Sequence, residues 1–217
     1  MKKVFIFDFD GTFYSGEHKF DHVKNDIENN RRKFLGNLND EEYYKICEEN
    51  PKWEKCITGN DIVRNLLKLM KLYPDKNISI DEFYNWQNDF IYDIVLDYNQ
   101  VINKKFIKDL ASKYPVYVVS NSSLKHIYYY MDQIDVDPTW FKKVIGNEFK
   151  PEDPSKEHYY KDILEENSDV PNHDFYVFGD SVDSDLAPAI HLGMNAFYVS
   201  NSSNSAKVVE TVIESES

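Results

Sequence analysis

The stretch Val4-Phe5-Ile6-Phe7-Asp8-Phe9-Asp10-Gly11-Thr12 decides the fold. Its first four residues are apolar β-formers in a run too short for a helix, and they predict a strand buried on both faces. In an extended backbone positions i and i+2 share a side, so Asp8 and Asp10 project together while Phe9 points away. Two adjacent carboxylates repel, and burying them without a cation or donors is costly. A strand end that presents such a pair calls for a hard divalent cation, and Mg²⁺ takes oxygen ligands. Gly11 lets the backbone turn sharply and approach a ligand closely. Taken alone, Asp8 and Asp10 also suit the plainer roles of turn and cap residues, so their downstream partners decide the matter.

Three further segments repeat the pattern of apolar strand followed by polar loop. Val116-Tyr117-Val118-Val119 ends in Ser120-Asn121-Ser122-Ser123. Lys143-Val144-Ile145-Gly146 is trailed by Phe149-Lys150-Pro151. Phe175-Tyr176-Val177-Phe178 ends in Gly179-Asp180-Ser181, with Asp183 and Asp185 close behind. In open parallel sheets ligands bind beyond the carboxyl ends of the strands, so residues at these ends can converge on one site. An aspartate pair, a hydroxyl, a lysine and a second acidic cluster together describe phosphoryl transfer. One carboxylate attacks, a cation and a lysine spread the developing charge, and hydroxyl and amide donors hold the phosphoryl oxygens.

With these segments in place the chain resembles the haloacid dehalogenase (HAD) superfamily of aspartate-nucleophile phosphohydrolases. Asp8-Phe9-Asp10-Gly11-Thr12 matches the first motif, Ser120-Asn121 the second, Lys150-Pro151 the lysine motif, and Gly179-Asp180-Ser181 through Asp185 the closing acidic motif. The resemblance implies Asp8 as nucleophile and Asp10 as general acid, then base. It further implies Lys150 beside them, Ser120, Asn121, Gly11 and Thr12 around the phosphate, and Mg²⁺ held by Asp8, Asp180, Asp185 and the Asp10 carbonyl. In that family a residue other than Asp at the second position marks the dehalogenase and phosphonatase branches, so Asp10 implies phosphate ester chemistry.

Each role has a plainer competitor. Ser120 also suits the N-cap of a helix beginning near Leu124, which is compatible with an anion site at the same helix end. Pro151 pushes Lys150 into extended geometry and fixes the direction in which it leaves the backbone. Lys142, Lys143 and Lys156 lack that setting and read as surface charges. Asp180 follows its strand at once and is the stronger metal ligand. Asp185 suits either a metal or the dipole of the next helix, and Asp183 reads as a solvated loop residue.

The 217 residues can form one domain with a large insertion, or two small domains. A formal net charge of −13 and the lack of a basic stripe exclude nucleic acid as the expected partner. Cys47 and Cys56 have no histidine pair at metal-ligand spacing and read as reduced thiols. No secretory segment precedes the first strand and no apolar run reaches spanning length, so a cytoplasmic protein without a membrane partner is expected.

The expected fold is α/β: a Rossmann-like parallel sheet with helices on both faces, from residues 1–16 and 99–217, and an all-helical cap over residues 17–98. Helices are expected at Asp21–Leu35, Asp40–Glu49, Asn60–Leu72 and Ser79–Asp97, with Asp40 and Ser79 or Asp81 as caps and breaks at Pro51, Gly59 and Pro74. In the core, helices are expected at Asn103–Tyr114, Ser123–Gln133, Pro154–Glu166 and Asp185–Leu192, a last strand at Ala196–Val199 and a weak helix near Lys207–Ile213. The family places a C1 cap between its first and second motifs, closing over the phosphate site. Tyr14, His18, His22, Arg31, Arg32, Trp53, Arg64, Trp86 and Tyr92 are the residues there suited to touch a substrate. Core packing is the stronger reading for the aromatics, and a solvated helix face for Arg31-Arg32.

Together these readings describe a Mg²⁺-dependent phosphatase of a small phosphorylated metabolite. A sugar phosphomutase of the same superfamily is the alternative, and a phospho-receiver or binding module is the rival from another class. Steady phosphate release separates them, because hydrolases turn over and receivers stall.

Overall fold

The structure, a computed structural model, describes residues 2–19, 32–36, 38–51, 59–89, 93–146, 155–199 and 205–216. The chain divides into two compact units: Met1–Glu17 with Val95–Ser217, and His18–Ile94. Strands β1 (Val4–Phe7), β4 (Val116–Val119), β5 (Lys143–Ile145), β6 (Phe175–Gly179) and β7 (Asn195–Tyr198) form one five-stranded sheet in the order β5-β4-β1-β6-β7. All four of its pairings are parallel. Strands β2 (Ser15–Lys19) and β3 (Asp93–Asp97) form a separate two-stranded sheet.

The sheet grows outward from β1 through β4 to β5, and the chain then returns to β6 on the other side of β1. That reversal makes the carboxyl end of β1 the crevice where ligands bind in open sheets. Every residue of β1, β4 and β6 is buried, as continuous apolar runs covered on both faces require. One face carries Val4, Ile6, Tyr117, Val119, Phe175 and Val177. They pack with Tyr159, Tyr160 and Ile163 of α6 (Glu157–Glu166) and Ala189 of α7 (Ala187–His191). From the other face an aromatic ladder crosses three strands: Phe7 stacks on Phe178 at 5.0 Å, and Phe178 on Phe197 at 5.2 Å. One rung back, Phe5 stacks on Tyr176 at 5.3 Å. Full burial of such side chains contributes about 1.5–3 kcal/mol each, so the strand that ends in Asp8 is firmly fixed.

Two further core helices are α4 (Lys104–Ala111) and α5 (Leu124–Gln133), and the chain closes with α8 (Ser205–Glu216). Asn103 caps α4 and Ser123 caps α5, so the cap of α5 is Ser123 and not Ser120. Where a helix was expected to begin at Asp185, Val182–Leu186 instead makes a π turn ahead of α7. In it the amide of Leu186 donates to the Ser181 carbonyl at 3.2 Å.

Within the second unit, α1 (Asp40–Glu49), α2 (Gly59–Leu72) and α3 (Ile80–Asp89) are helical. Asn39 caps α1 in a capping box with Glu42, displacing Asp40 from that role, and Ser79 accepts from the Glu82 amide at 3.2 Å. Ile62, Leu66 and Leu69 of α2 are buried at helical spacing. The expected helix to Asp97 is corrected: α3 ends at Asp89, and residues 93–97 are a strand. An all-helical cap over residues 17–98 is corrected with it, since both ends of that stretch lie in the β2–β3 sheet. Trp86 is half-buried and packs on Phe34 and Phe83. Arg32 pairs with Asp40 and lies over Tyr43 at 5.0 Å. His22, Arg31, Trp53, Tyr92 and Cys56 lie outside the described residues, as do the side chains of His18 and Arg64. Cys47 is buried. No helix among the described residues is long and apolar enough to cross a membrane.

Candidate active site

The amide of Asp8 donates to the Phe178 carbonyl at 2.8 Å, which binds the exit of β1 to β6. The chain then makes a helical turn, with the amides of Thr12 and Phe13 both donating to the Phe9 carbonyl. Gly11 stands in this turn with φ +79°, a conformation that L side chains rarely adopt. Phe9 is fully buried against Phe13 and Tyr14, so the aspartates on either side of it are presented to the crevice.

Asp8, Asp180 and Asp185 each offer a carboxylate oxygen, and these atoms lie within 4.8 Å of one another. Asp180 directly follows β6, and the π turn brings Asp185 back beside it. Gly179 is what permits this approach: a Cβ there would stand 2.4 Å from Asp185 Oδ2. The same oxygen accepts from the Ser181 amide at 2.9 Å. Asp183, on the same turn, is exposed.

Among the described residues, the lysine at this cluster is Lys156. Its Nζ donates to Asp8 Oδ1 at 2.5 Å and to Asp185 Oδ1 at 2.6 Å, and its side chain is 2% exposed. Reading Lys156 as a surface charge is therefore corrected. Its backbone amide contacts the Ser184 carbonyl of the π turn, so the loop entering α6 and the turn after β6 are placed together. Lys150 lies outside the described residues. Lys142 and Lys143 are exposed, with Lys143 paired to Glu166.

Burial pushes the Asp8 carboxyl well above its ordinary pKa; Lys156 pulls it down, and Asp185, Asp180 and Asp10 add to the rise. Asp180 is pushed up to about 6, chiefly by burial and then by Asp185. The Lys156 ammonium is held charged by Asp8 and Asp185 against the cost of burial. Three carboxylates facing one ammonium leave two negative charges over. This donor set, all hard oxygen with a double negative excess, can hold a divalent metal ion.

Asp10 is held differently. Its Oδ1 accepts from the Tyr14 hydroxyl and lies 3.0 Å from His126 Nε2. Its Oδ2 accepts from Ser122 Oγ at 2.6 Å and Ser120 Oγ at 3.2 Å. With both oxygens occupied by donors, the atom Asp10 would offer a cation is its main-chain carbonyl. Burial raises the Asp10 carboxyl, but His126 and the hydrogen bonds from His126, Ser122 and Tyr14 outweigh it and hold the group far below its usual range.

Ser120 is buried, and its single hydroxyl proton goes to Asp10 while its oxygen accepts from the Ser122 amide at 3.0 Å. Asn121 follows, half-buried, between β4 and α5. Thr12 is buried, and its Oγ1 has no hydrogen-bond partner among the described residues. His126, Ser122 and the Tyr14–Asp10 bond escaped the sequence reading. The available signal was Ser123-x-x-His126, a histidine one helical turn past a cap that itself follows the second motif.

The haloacid dehalogenase-like hydrolase family model matches residues 2–193, and the chain belongs to that family. Among solved structures it is similar to a 2-haloacid dehalogenase from Pseudomonas syringae (15% identity, TM-score 0.53, 99% of each chain covered). It is also similar to a haloacid dehalogenase-like hydrolase from Xanthomonas campestris (15% identity, TM-score 0.48, 92% of this chain and 83% of that one). A third is a HAD family enzyme from Bacteroides thetaiotaomicron solved as a magnesium complex (16% identity, TM-score 0.44, 92% and 94% covered). No curated protein sequence matches this one. The protein is thus a hydrolase of the HAD-like family, built on the parallel sheet described above.

Proposed function

We propose that the protein is a Mg²⁺-dependent phosphatase that hydrolyses a small phosphorylated metabolite through an aspartyl-phosphate on Asp8. The observation that carries this reading is the contrast between Asp8, set among carboxylates and Lys156, and Asp10, gripped by four donors two residues away. A carboxylate oxygen of Asp8 attacks phosphorus, and the ester oxygen leaves with a proton delivered by Asp10, whose donors keep it ionised in the free site and which takes that proton up once the negative phosphate lies beside it. Water then attacks the aspartyl-phosphate as Asp10 takes its proton, and inorganic phosphate and free Asp8 result. Lys156 orients Asp8 and balances charge beside it. Ser120 can turn its hydroxyl proton from Asp10 to a phosphoryl oxygen while Ser122 keeps its hold on the carboxylate, and the Thr12 hydroxyl is a further donor with no other partner among the described residues. Asp8, Asp180, Asp185 and the Asp10 carbonyl would hold Mg²⁺, which would supply charge neutralisation for the phosphoryl oxygens.

Asp10 also weighs against dehalogenation. A halide leaves as a stable anion and needs no proton, so a carboxylate gripped at both oxygens would have no task at the leaving group. A panel of small phosphate esters with Mg²⁺, together with a haloacid, tests the reading. Steady phosphate release, with acid-trapped phosphoenzyme on Asp8, is expected. Halide release without phosphatase activity would refute it, and transfer to a second sugar hydroxyl in place of water would identify a mutase.

A further inference from the structure

We propose that His126 is the positioning residue that fixes the Asp10 carboxylate for proton transfer, an inference that rests on the phosphatase reading. Proton transfer requires the acid within hydrogen-bond reach of the atom it serves, and a misplacement of about 1 Å costs about 10²-fold in rate. A lone aspartate side chain at a turn does not meet that demand, because its terminal torsion is broad. Here both oxygens are fixed from one side. The Asp10 side chain is 30% exposed whereas the His126 side chain is 3% exposed, so the grip comes from the protein interior and leaves an open side for a reacting atom.

The histidine is itself held by the fold. The Ser123 hydroxyl accepts from the His126 amide at 3.3 Å, which places the residue in the first turn of α5. Its ring packs on Tyr130 at 4.7 Å between centroids, and Tyr130 stacks on Tyr14 at 5.6 Å with 24° between planes. Tyr14 then donates to the same Asp10 oxygen that faces His126. His126, Tyr130, Tyr14 and Asp10 therefore close a ring of contacts, in which each member limits the movement of the next. Ser120 and Ser122 hold the second oxygen from the loop that leads into α5. One short segment, residues 120–126, thus supplies three of the four groups on Asp10, and His126 is the most deeply anchored in a helix. Removing it leaves Oδ1 on Tyr14 alone and frees the carboxylate to rotate.

The test compares His126→Leu with His126→Gln, whose amide nitrogen can replace Nε2 as donor, on phenyl phosphate and dinitrophenyl phosphate. Phenolate is a poor leaving group that needs the Asp10 proton, whereas dinitrophenolate leaves without it. For His126→Leu the expected result is a loss of about 10²-fold in kcat on phenyl phosphate with KM little changed. Burst-phase phosphorylation by dinitrophenyl phosphate should stay within a few-fold of wild type, and the phosphoenzyme should then decay slowly and accumulate. His126→Gln should restore most of the loss. Equal losses on both esters without phosphoenzyme accumulation, or a Gln variant no better than Leu, would overturn the positioning role while wild-type turnover leaves the phosphatase reading standing. A wild type inert to every phosphate ester would overturn both.

Discussion

Asp8 and Asp10 stand two residues apart and are held by opposite means. Towards β6, Asp8 meets two more carboxylates and one ammonium, and the balance is left two charges negative. Towards the residues that follow β4, Asp10 meets only donors. Burial raises both groups, yet one carboxyl ends raised and the other lowered, because the first also has like charges around it and the second has His126 and its hydrogen bonds. The difference teaches that a D-x-D pair need not be one functional unit. The first aspartate is set among carboxylates that can hold a cation and the second in a cage of donors.

The strongest way to break this contrast is Asp8→Asn. An amide of nearly the same shape is a poor nucleophile, so turnover should fall by on the order of 10⁴–10⁶-fold, with no trapped phosphoenzyme and an unchanged circular dichroism spectrum. Near-normal phosphatase activity would remove Asp8 from the chemistry. Asp10→Asn strikes the other side and should cost about 10²–10⁴-fold in kcat. Rapid quench with an activated aryl phosphate should show the phosphoenzyme forming and then persisting; decay as fast as in wild type would exclude Asp10 as the base.

Lys156→Met leaves Asp8 and Asp185 buried without their cation. In chelator it should destabilise the protein by about 3–5 kcal/mol in urea unfolding, and Mg²⁺ should recover part of that. Lys150→Met, assayed beside it, should affect activity less. The reverse ranking would return the lysine role to the pre-proline residue.

The smallest effect concerns pH. Asp180 is raised to about 6 in the folded chain, so between its ordinary value and about 6 the native state binds the proton that the unfolded state has released. Its contribution to metal-free stability is therefore present at low pH and falls as pH rises through that window. In chelator Asp180→Asn should melt above wild type near about pH 7, and the gap should narrow towards about pH 5. Saturating Mg²⁺ should reverse the order at neutral pH, and a gap independent of both pH and metal would show that Asp180 does not feel the cluster.

The parts of this site that were legible in the sequence are those fixed by short-range pattern. Val4–Phe7, Val116–Val119 and Phe175–Phe178 are apolar runs whose polar exits must fall at strand ends, and that places Asp8, Asp10, Ser120 and Asp180 at those ends. Lys156 was not legible, because a pre-proline setting fixes the direction of a side chain and not its distance from a strand six or more residues earlier. What brings Lys156 in is its loop's contact with the π turn. That turn was invisible as well, since Ser181–Leu186 carries the composition of an ordinary helix start. Strand β3 was hidden because Asp93–Asp97 continues the helical run of α3 without a breaker, and β2 because Ser15–Lys19 has no apolar alternation; both are strands by pairing with each other. His126 belongs to none of the motifs, and only the fold places it opposite Asp10.

The β2–β3 pair has a consequence for how such a chain can diversify. The boundaries of the second unit, Glu17/His18 and Ile94/Val95, fall inside these two paired strands. Whatever lies between them therefore begins and ends on two paired strands, which form a stem for the chain beyond. Doubling the length of chain beyond such a stem adds only about 0.6 kcal/mol of closure entropy. Chain could thus be lengthened or trimmed beyond the stem at little entropic cost to the two strands that close it.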